Sequence, residues 1–113
     1  MSHQNYEDCI EECDACAVMC EHCATSCLHE QNVFDLIRCI ELDRACAVIC
    51  RSAAAVMAQG SELSQKMCMV CAEACQECSQ ECQKHNHMEH CRECARVCAD
   101  CAALCREMAG AKV

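Results

Sequence analysis

The chain has no proline, no tryptophan, one phenylalanine, one tyrosine, and only two glycines, Gly60 and Gly110. So little punctuation excludes the closely spaced turns of a β-rich fold or a loop-rich disulfide scaffold and leaves an all-helical chain. With almost no aromatics, the interior cannot be packed in the usual way. The stretch Met1-Ser2-His3-Gln4-Asn5-Tyr6-Glu7-Asp8 has neither a basic start nor an apolar run. A secretory leader or membrane anchor is therefore not expected, and a cytosolic location is. Basic residues are also in deficit: nine Lys and Arg against 18 Asp and Glu give a formal net charge of −9. That sign disfavours nucleic acid or an anionic membrane as a partner.

What the chain does have is cysteine, nineteen of them in 113 residues. A length of this order suits one domain, here 1–113, with a single core. In a reducing compartment dense cysteine signals metal or redox chemistry rather than structural disulfides, and an odd number cannot all pair within one chain. Free thiols are the expected resting state.

The cysteines are spaced as a helix requires. Cys9, Cys13, Cys16, Cys20, Cys23 and Cys27 step by four and three, which places all six on one face of a helix predicted over 5–29. A second helix is predicted over 33–58, with Asn32 as its N-cap, Gly60 as its stop and a thinner seam of Cys39, Cys46 and Cys50. Ser61 is placed to cap a third, over 62–84, carrying Cys68, Cys71, Cys75, Cys78 and Cys82. A fourth, over 88–108, carries Cys91, Cys94, Cys98, Cys101 and Cys105. Short connections make sequential helices antiparallel neighbours, so the expectation is an all-α, antiparallel up-down four-helix bundle with a cysteine-lined core.

A single buried cysteine is ordinarily just a small hydrophobe. Nineteen in register are not, because Leu, Ile and Val would fill a bundle core more stably. Thiolates are soft ligands and select Cu(I), zinc or iron–sulfur clusters. Exchange of a thiol proton for Cu⁺ leaves the core's formal charge unchanged, so filling can proceed site after site, provided that the metal-to-thiolate ratio approaches one. A Zn²⁺ held by four thiolates carries −2, which in a dry interior costs several kcal/mol per site unless cations compensate, and the seams contain no Lys or Arg. A zinc or mixed-metal thiolate buffer is therefore the second reading. Iron–sulfur ligation of the ferredoxin kind wants a flexible loop ending in Cys-Pro, and there is no proline. A redox enzyme or sensor is a further, less supported reading, since no βαβ pattern surrounds any CxxC pair and none stands apart from its fellows.

The two ends of the seams differ. One gathers Cys27, Cys39, Cys82 and Cys91, with the register running on to His85 and His87, and with His29, Met88 and His90 nearby. Imidazole is a Cu(I) ligand, so this end reads either as a mouth for the metal or as a solvated polar turn. The other gathers Cys9, Cys50, Cys68 and Cys105, continued by Met57 and Met108 with Tyr6 on helix 1, which reads as an apolar plug with a weak thioether site as the alternative. Met19 and Met67 read as packing. Asp43 falls in a seam position, where a carboxylate is costly; it either relays metal or protons, or is solvated by Arg44 or a neighbouring helix. Val33, Ile37, Ile40 and Val48 form an apolar face beside the second seam that completes the bundle or, the preferred reading, joins subunits.

With these seams, the turn Lys84-His85-Asn86-His87-Met88-Glu89-His90-Cys91 and the stretch Leu42-Asp43-Arg44-Ala45-Cys46, the sequence resembles the bacterial four-helix-bundle copper storage proteins over nearly its whole length. It is more similar to the cytosolic branch, because the exported branch carries a leader. The resemblance implies many Cu(I) ions held mainly by paired cysteines inside the bundle, uptake at one end, and a homotetramer. It implies all nineteen cysteines as ligands, with His85, His87, His90 and Asp43 added by their position near one end. It implies storage or sequestration and no catalysis.

Overall fold

The structure, a computed structural model, describes residues 6–110. Four α-helices follow one another: α1 (Glu7–Leu28), α2 (Ile37–Ala58), α3 (Ser64–Gln83) and α4 (Glu89–Ala109), with a 3₁₀ turn over Val33–Leu36 before α2. Among the described residues there are no strands. Helix α1 packs on α2 and α4, and α3 packs on α2 and α4, so the four occupy the corners of a square. Sulfur contacts fix the directions. Cys9 meets Cys105 while Cys27 meets Cys91, so α1 and α4 are antiparallel. Cys13 meets Cys71 and Cys20 meets Cys78, so the diagonal pair α1 and α3 run parallel. The expected up-down bundle is what forms.

Local chemistry sets the helix ends. Glu7 and Asp8 in the first turn of α1 and Glu89 in that of α4 oppose the positive end of each helix dipole, and Arg106 sits in the last turn of α4. Helix α2 stops as the sequence predicts. Gly60 has φ 64°, its N–H bonds to the Met57 carbonyl at 3.0 Å, and the Ser61 N–H reaches back to Val56 at 3.4 Å, a Schellman closure that needs a residue free to enter the left-handed region.

Two predicted caps turn out differently. Asn32 makes no side-chain cap; its carbonyl accepts the Asp35 N–H at 2.9 Å and starts the 3₁₀ turn, so α2 proper begins four residues later than the sequence suggests. The tighter winding carries Leu36 inward, where it is wholly buried where the turn packs on α1 and α2. Ser61 likewise precedes its helix: its hydroxyl accepts the Leu63 N–H at 3.1 Å, and α3 begins at Ser64.

Most of the interior is built from two residue types. All nineteen cysteines are at most 1% exposed, and between them the helices meet through alanines: Ala17 and Ala24 on α1, Ala47, Ala53 and Ala54 on α2, Ala72 on α3, and Ala95 and Ala102 on α4. Small side chains allow the close approach that keeps four sulfur seams within reach of one axis. The Ser79 hydroxyl donates to the Ala95 carbonyl at 2.7 Å, tying α3 to α4.

Candidate metal centre

The sulfurs form a continuous column. From one end to the other, Cys9 and Cys13 lie 3.6 Å from Cys105; Cys50 lies 3.6 Å from Cys71 and 3.5 Å from Cys75; Cys16 and Cys20 each lie 3.6 Å from Cys98; and Cys39 lies 3.6 Å from Cys82. A disulfide requires about 2.05 Å, so these are free thiols in van der Waals contact. The contacts define overlapping groups of four ligand atoms, all within 4.8 Å of one another. Cys13, Cys71, Cys101 and Cys105 form one, and Cys16, Cys46, Cys50 and Cys75 another. Further along come Cys16, Cys20, Cys46 and Cys98, then Cys20, Cys78, Cys94 and Cys98. Cys16, Cys20, Cys46 and Cys98 each belong to two groups. A metal that needs four thiolates of its own cannot fill such a column, whereas one that accepts bridging sulfur can.

Burial works against the thiolate form all along the column, while contacts between neighbouring thiols push some pKa values up and others, such as those of Cys16 and Cys71, down. Contacts with Cys16 and Cys20, reinforced by burial, hold the Cys98 thiol well above the ordinary range, and Cys101, Cys16 and burial do the same for Cys75. Among the described residues the buried polar or charged side chains are Asp43, Ser64 and Glu81, so no Lys or Arg lies inside to compensate anionic sites.

Asp43 is wholly buried, and its partners are thiols. Arg44 points to solvent, and thiols take its place: Cys78, Cys94 and Cys82 donate to Asp43 Oδ1 at 3.0, 3.4 and 3.5 Å, and Cys39 approaches Oδ2 at 3.9 Å. Burial, with the neighbouring Cys94 and Cys78 sulfurs, pushes its pKa up to about 11, so at neutral pH it is a carboxylic acid and not a carboxylate.

At the histidine end the structure redistributes the roles anticipated by register. The sequence extends the seams to His85 and His87, but α3 stops at Gln83 and α4 starts at Glu89, so both lie in the connecting turn. His87 is exposed, as is His29 on the turn after α1. His85 is held by Glu81, Nε2 to Oε2 at 3.0 Å, and the other oxygen of that buried carboxylate takes Lys84 at 3.3 Å and Arg38 at 3.4 Å. His90 is the imidazole that reaches sulfur: its Nδ1 lies 3.6, 3.7 and 3.8 Å from Cys91, Cys23 and Cys27, and the four form one ligand group. In the first turn of a helix side chains lean towards the N-terminus, which lets a residue beside the seam fold over the bundle's end. Glu81 was detectable as an i, i+4 partner of His85 and an i, i+3 partner of Lys84. Nothing in the spacing reveals that His90 outranks its neighbours.

The opposite end is closed. Met57, wholly buried, accepts the Cys68 thiol on Sδ at 3.4 Å, and Tyr6 is buried against the same core, with Met108 partly covered beside it. Met19 and Met67 pack at the margin, as expected of gap-fillers.

Residues 2–110 match the copper storage protein family. The chain belongs to that family. Among solved structures, apo-Csp3, copper storage protein 3 from Bacillus subtilis, is 45% identical over 93% of this chain and 99% of its own, with a TM-score of 0.87. The Cu(I)-bound copper storage protein BsCsp3 is 44% identical over 93% and 98%, with a TM-score of 0.88. A cytosolic copper storage protein from Streptomyces lividans, in a copper-loading structure with five coppers, is 37% identical over 98% and 97%, with a TM-score of 0.93. A comparison with curated proteins gives no significant match. No described helix is long and apolar enough to cross a membrane. The chain therefore shares its fold with copper storage proteins whose structures hold copper.

Proposed function

We propose that this chain stores or sequesters Cu(I) by exchanging core thiol protons for metal, binding many ions along the column. The observation that carries the reading is the sharing of Cys16, Cys20, Cys46 and Cys98 between adjacent ligand groups. Shared sulfur bridges successive ions, and bridging drives the ratio towards on the order of one Cu(I) per thiolate. At one Cu⁺ per thiolate each ion has displaced one H⁺, so the filled interior is neutral. Zinc meets two obstacles here: its sites would compete for the same sulfurs, and each would carry an uncompensated −2.

All nineteen cysteines are assigned as ligands, with His90 completing the group at one end and Asp43 lying against four of them. His85 and His87 are assigned to the approach to that end. The whole chain acts as one unit, in the cytosol as for the Streptomyces lividans relative, and its role is binding and not catalysis. The apolar residues left outside the bundle support self-association, with a homotetramer as the assembly.

Anaerobic titration of the reduced protein against a competing chelator tests the reading. Cu(I) is expected to bind in many equivalents, on the order of one per thiolate, with about one proton released for each, and Zn(II) in far fewer. A protein that saturates with two or three coppers, leaving most thiols open to alkylation, is not a store.

A further inference from the structure

Three thiols hold one face of the His90 ring, but the opposite nitrogen is also occupied. His90 Nε2 lies 3.3 Å from Glu30 Oε2, and Glu30 stands in the connection that follows α1. The imidazole is 15% exposed and the carboxylate 35%, so this contact lies at the rim of the bundle's end. A carboxylate can only accept hydrogen bonds. With the His90 ring neutral, the Glu30 hydrogen bond forms only when the single proton sits on Nε2, which leaves the Nδ1 lone pair aimed at Cys23, Cys27 and Cys91. Those sulfurs lie 3.6 to 3.8 Å away, as above.

We infer that Glu30 is a positioning residue that fixes the tautomer and orientation of His90, presenting Nδ1 as a ready metal donor to the outermost thiol group. The inference rests on the copper reading above for its purpose, but not for its geometry. A carboxylate behind a histidine that faces metal is a recurring arrangement because it orients the ring and raises its basicity, and its loss typically costs about 10–100-fold in affinity or activity. His85 makes an instructive contrast. Its carboxylate partner, Glu81, is shared with Arg38 and Lys84, whereas the one ion pair of Glu30 in the described residues is with His90. The contact also spans the α1 and α4 ends across sixty positions of sequence, so it joins ring orientation to closure of this end of the bundle.

The test uses full-length protein with ¹⁵N-labelled histidine, as wild type, Glu30→Gln and Glu30→Ala. Long-range ¹H–¹⁵N correlation on the metal-free protein reads the His90 tautomer directly. Expected is a protonated Nε2 and an unprotonated Nδ1 in wild type, the same in Glu30→Gln, whose amide oxygen still accepts, and a mixture or reversal in Glu30→Ala. Uptake of the first equivalents of Cu(I), presented as a complex with a competing chelator, should slow about tenfold or more in Glu30→Ala and recover in Glu30→Gln. A wild-type His90 protonated on Nδ1, or a tautomer unmoved in Glu30→Ala, overturns the inference. An altered tautomer with unaltered uptake overturns the role in metal capture. If wild type itself takes up little copper, the storage reading fails and the purpose of Glu30 with it, while the metal-free tautomer still judges the hydrogen bond.

Discussion

A carboxyl group sealed among sulfurs is the least favourable single feature of this core, and its cost depends on pH. Asp43 has its folded pKa raised to about 11 against 3.8 in the open, so the native state holds this proton far more tightly than the unfolded chain does. The sign follows from linkage: the contribution is fully present below about pH 3.8 and is lost progressively as pH rises towards 11. Across that window the metal-free protein should lose up to about 1.4 kcal/mol per pH unit through this one group. Asp43→Asn keeps a carbonyl oxygen to accept from Cys78, Cys82 and Cys94 but cannot ionise. In urea unfolding of the metal-free protein between pH 5 and 8, the wild-type midpoint should fall more steeply than that of Asp43→Asn; parallel slopes would show that Asp43 is not the group responsible. The sequence revealed that Asp43 occupies a seam position, since four residues after Cys39 and three before Cys46 is arithmetic. It did not reveal the company, because three of the thiols around the carboxyl come from α3 and α4, and distant pairings leave no local trace.

At the scale of the helix, legibility followed periodicity. Steps of three and four placed every cysteine on an inward face, and all nineteen are buried. Helix ends were less readable, because capping residues also begin 3₁₀ turns: Asn32 starts Val33–Leu36, and α2 follows only at Ile37. The placement of the histidines was less readable for a related reason. Extrapolating a seam past its helix assumes that the helix continues, yet His85 and His87 fall in the turn while His90, out of register, reaches the sulfurs. Gly60 was readable because only one backbone geometry closes the turn in so few residues. At φ 64° an alanine meets its own carbonyl, so Gly60→Ala should destabilise the metal-free bundle by about 1 kcal/mol, seen as a lower urea midpoint at unchanged slope. Gly60→Asn, which tolerates the left-handed region better, should lose less. Equal stability of Gly60→Ala and wild type would mean that the connection relaxes into another turn.

For the molecule as a whole, the apolar residues left outside the bundle matter as much as those within. The face anticipated from helix 2 divides: Ile40 is buried and completes the core, while Ile37 is half exposed and Val48 is 66% exposed. Beside Val48 runs an open groove of about 700 Å³ between α1 and α2, lined by Ala24, Thr25, Leu28, Ala45 and Ala47, with Glu21 and Arg44 also on its walls. Val18 and Leu28 continue the apolar surface along α1. A chain with formal charge −9 is kept apart from its copies by repulsion, so apolar contact with mixed charge at its margin is what association requires. Glu21, paired with Arg51 of its own chain, and Arg44 supply both signs at the margin of this groove. Val48→Glu places an anion in that contact without touching the sulfur column. Light scattering should find wild type as a homo-oligomer and Val48→Glu as a smaller species at the same concentration, while Cu(I) capacity per chain stays the same. Should the variant keep the wild-type mass, the α1–α2 face is not where copies meet; should it lose copper capacity along with mass, the column depends on assembly, and a single bundle is not the storage unit.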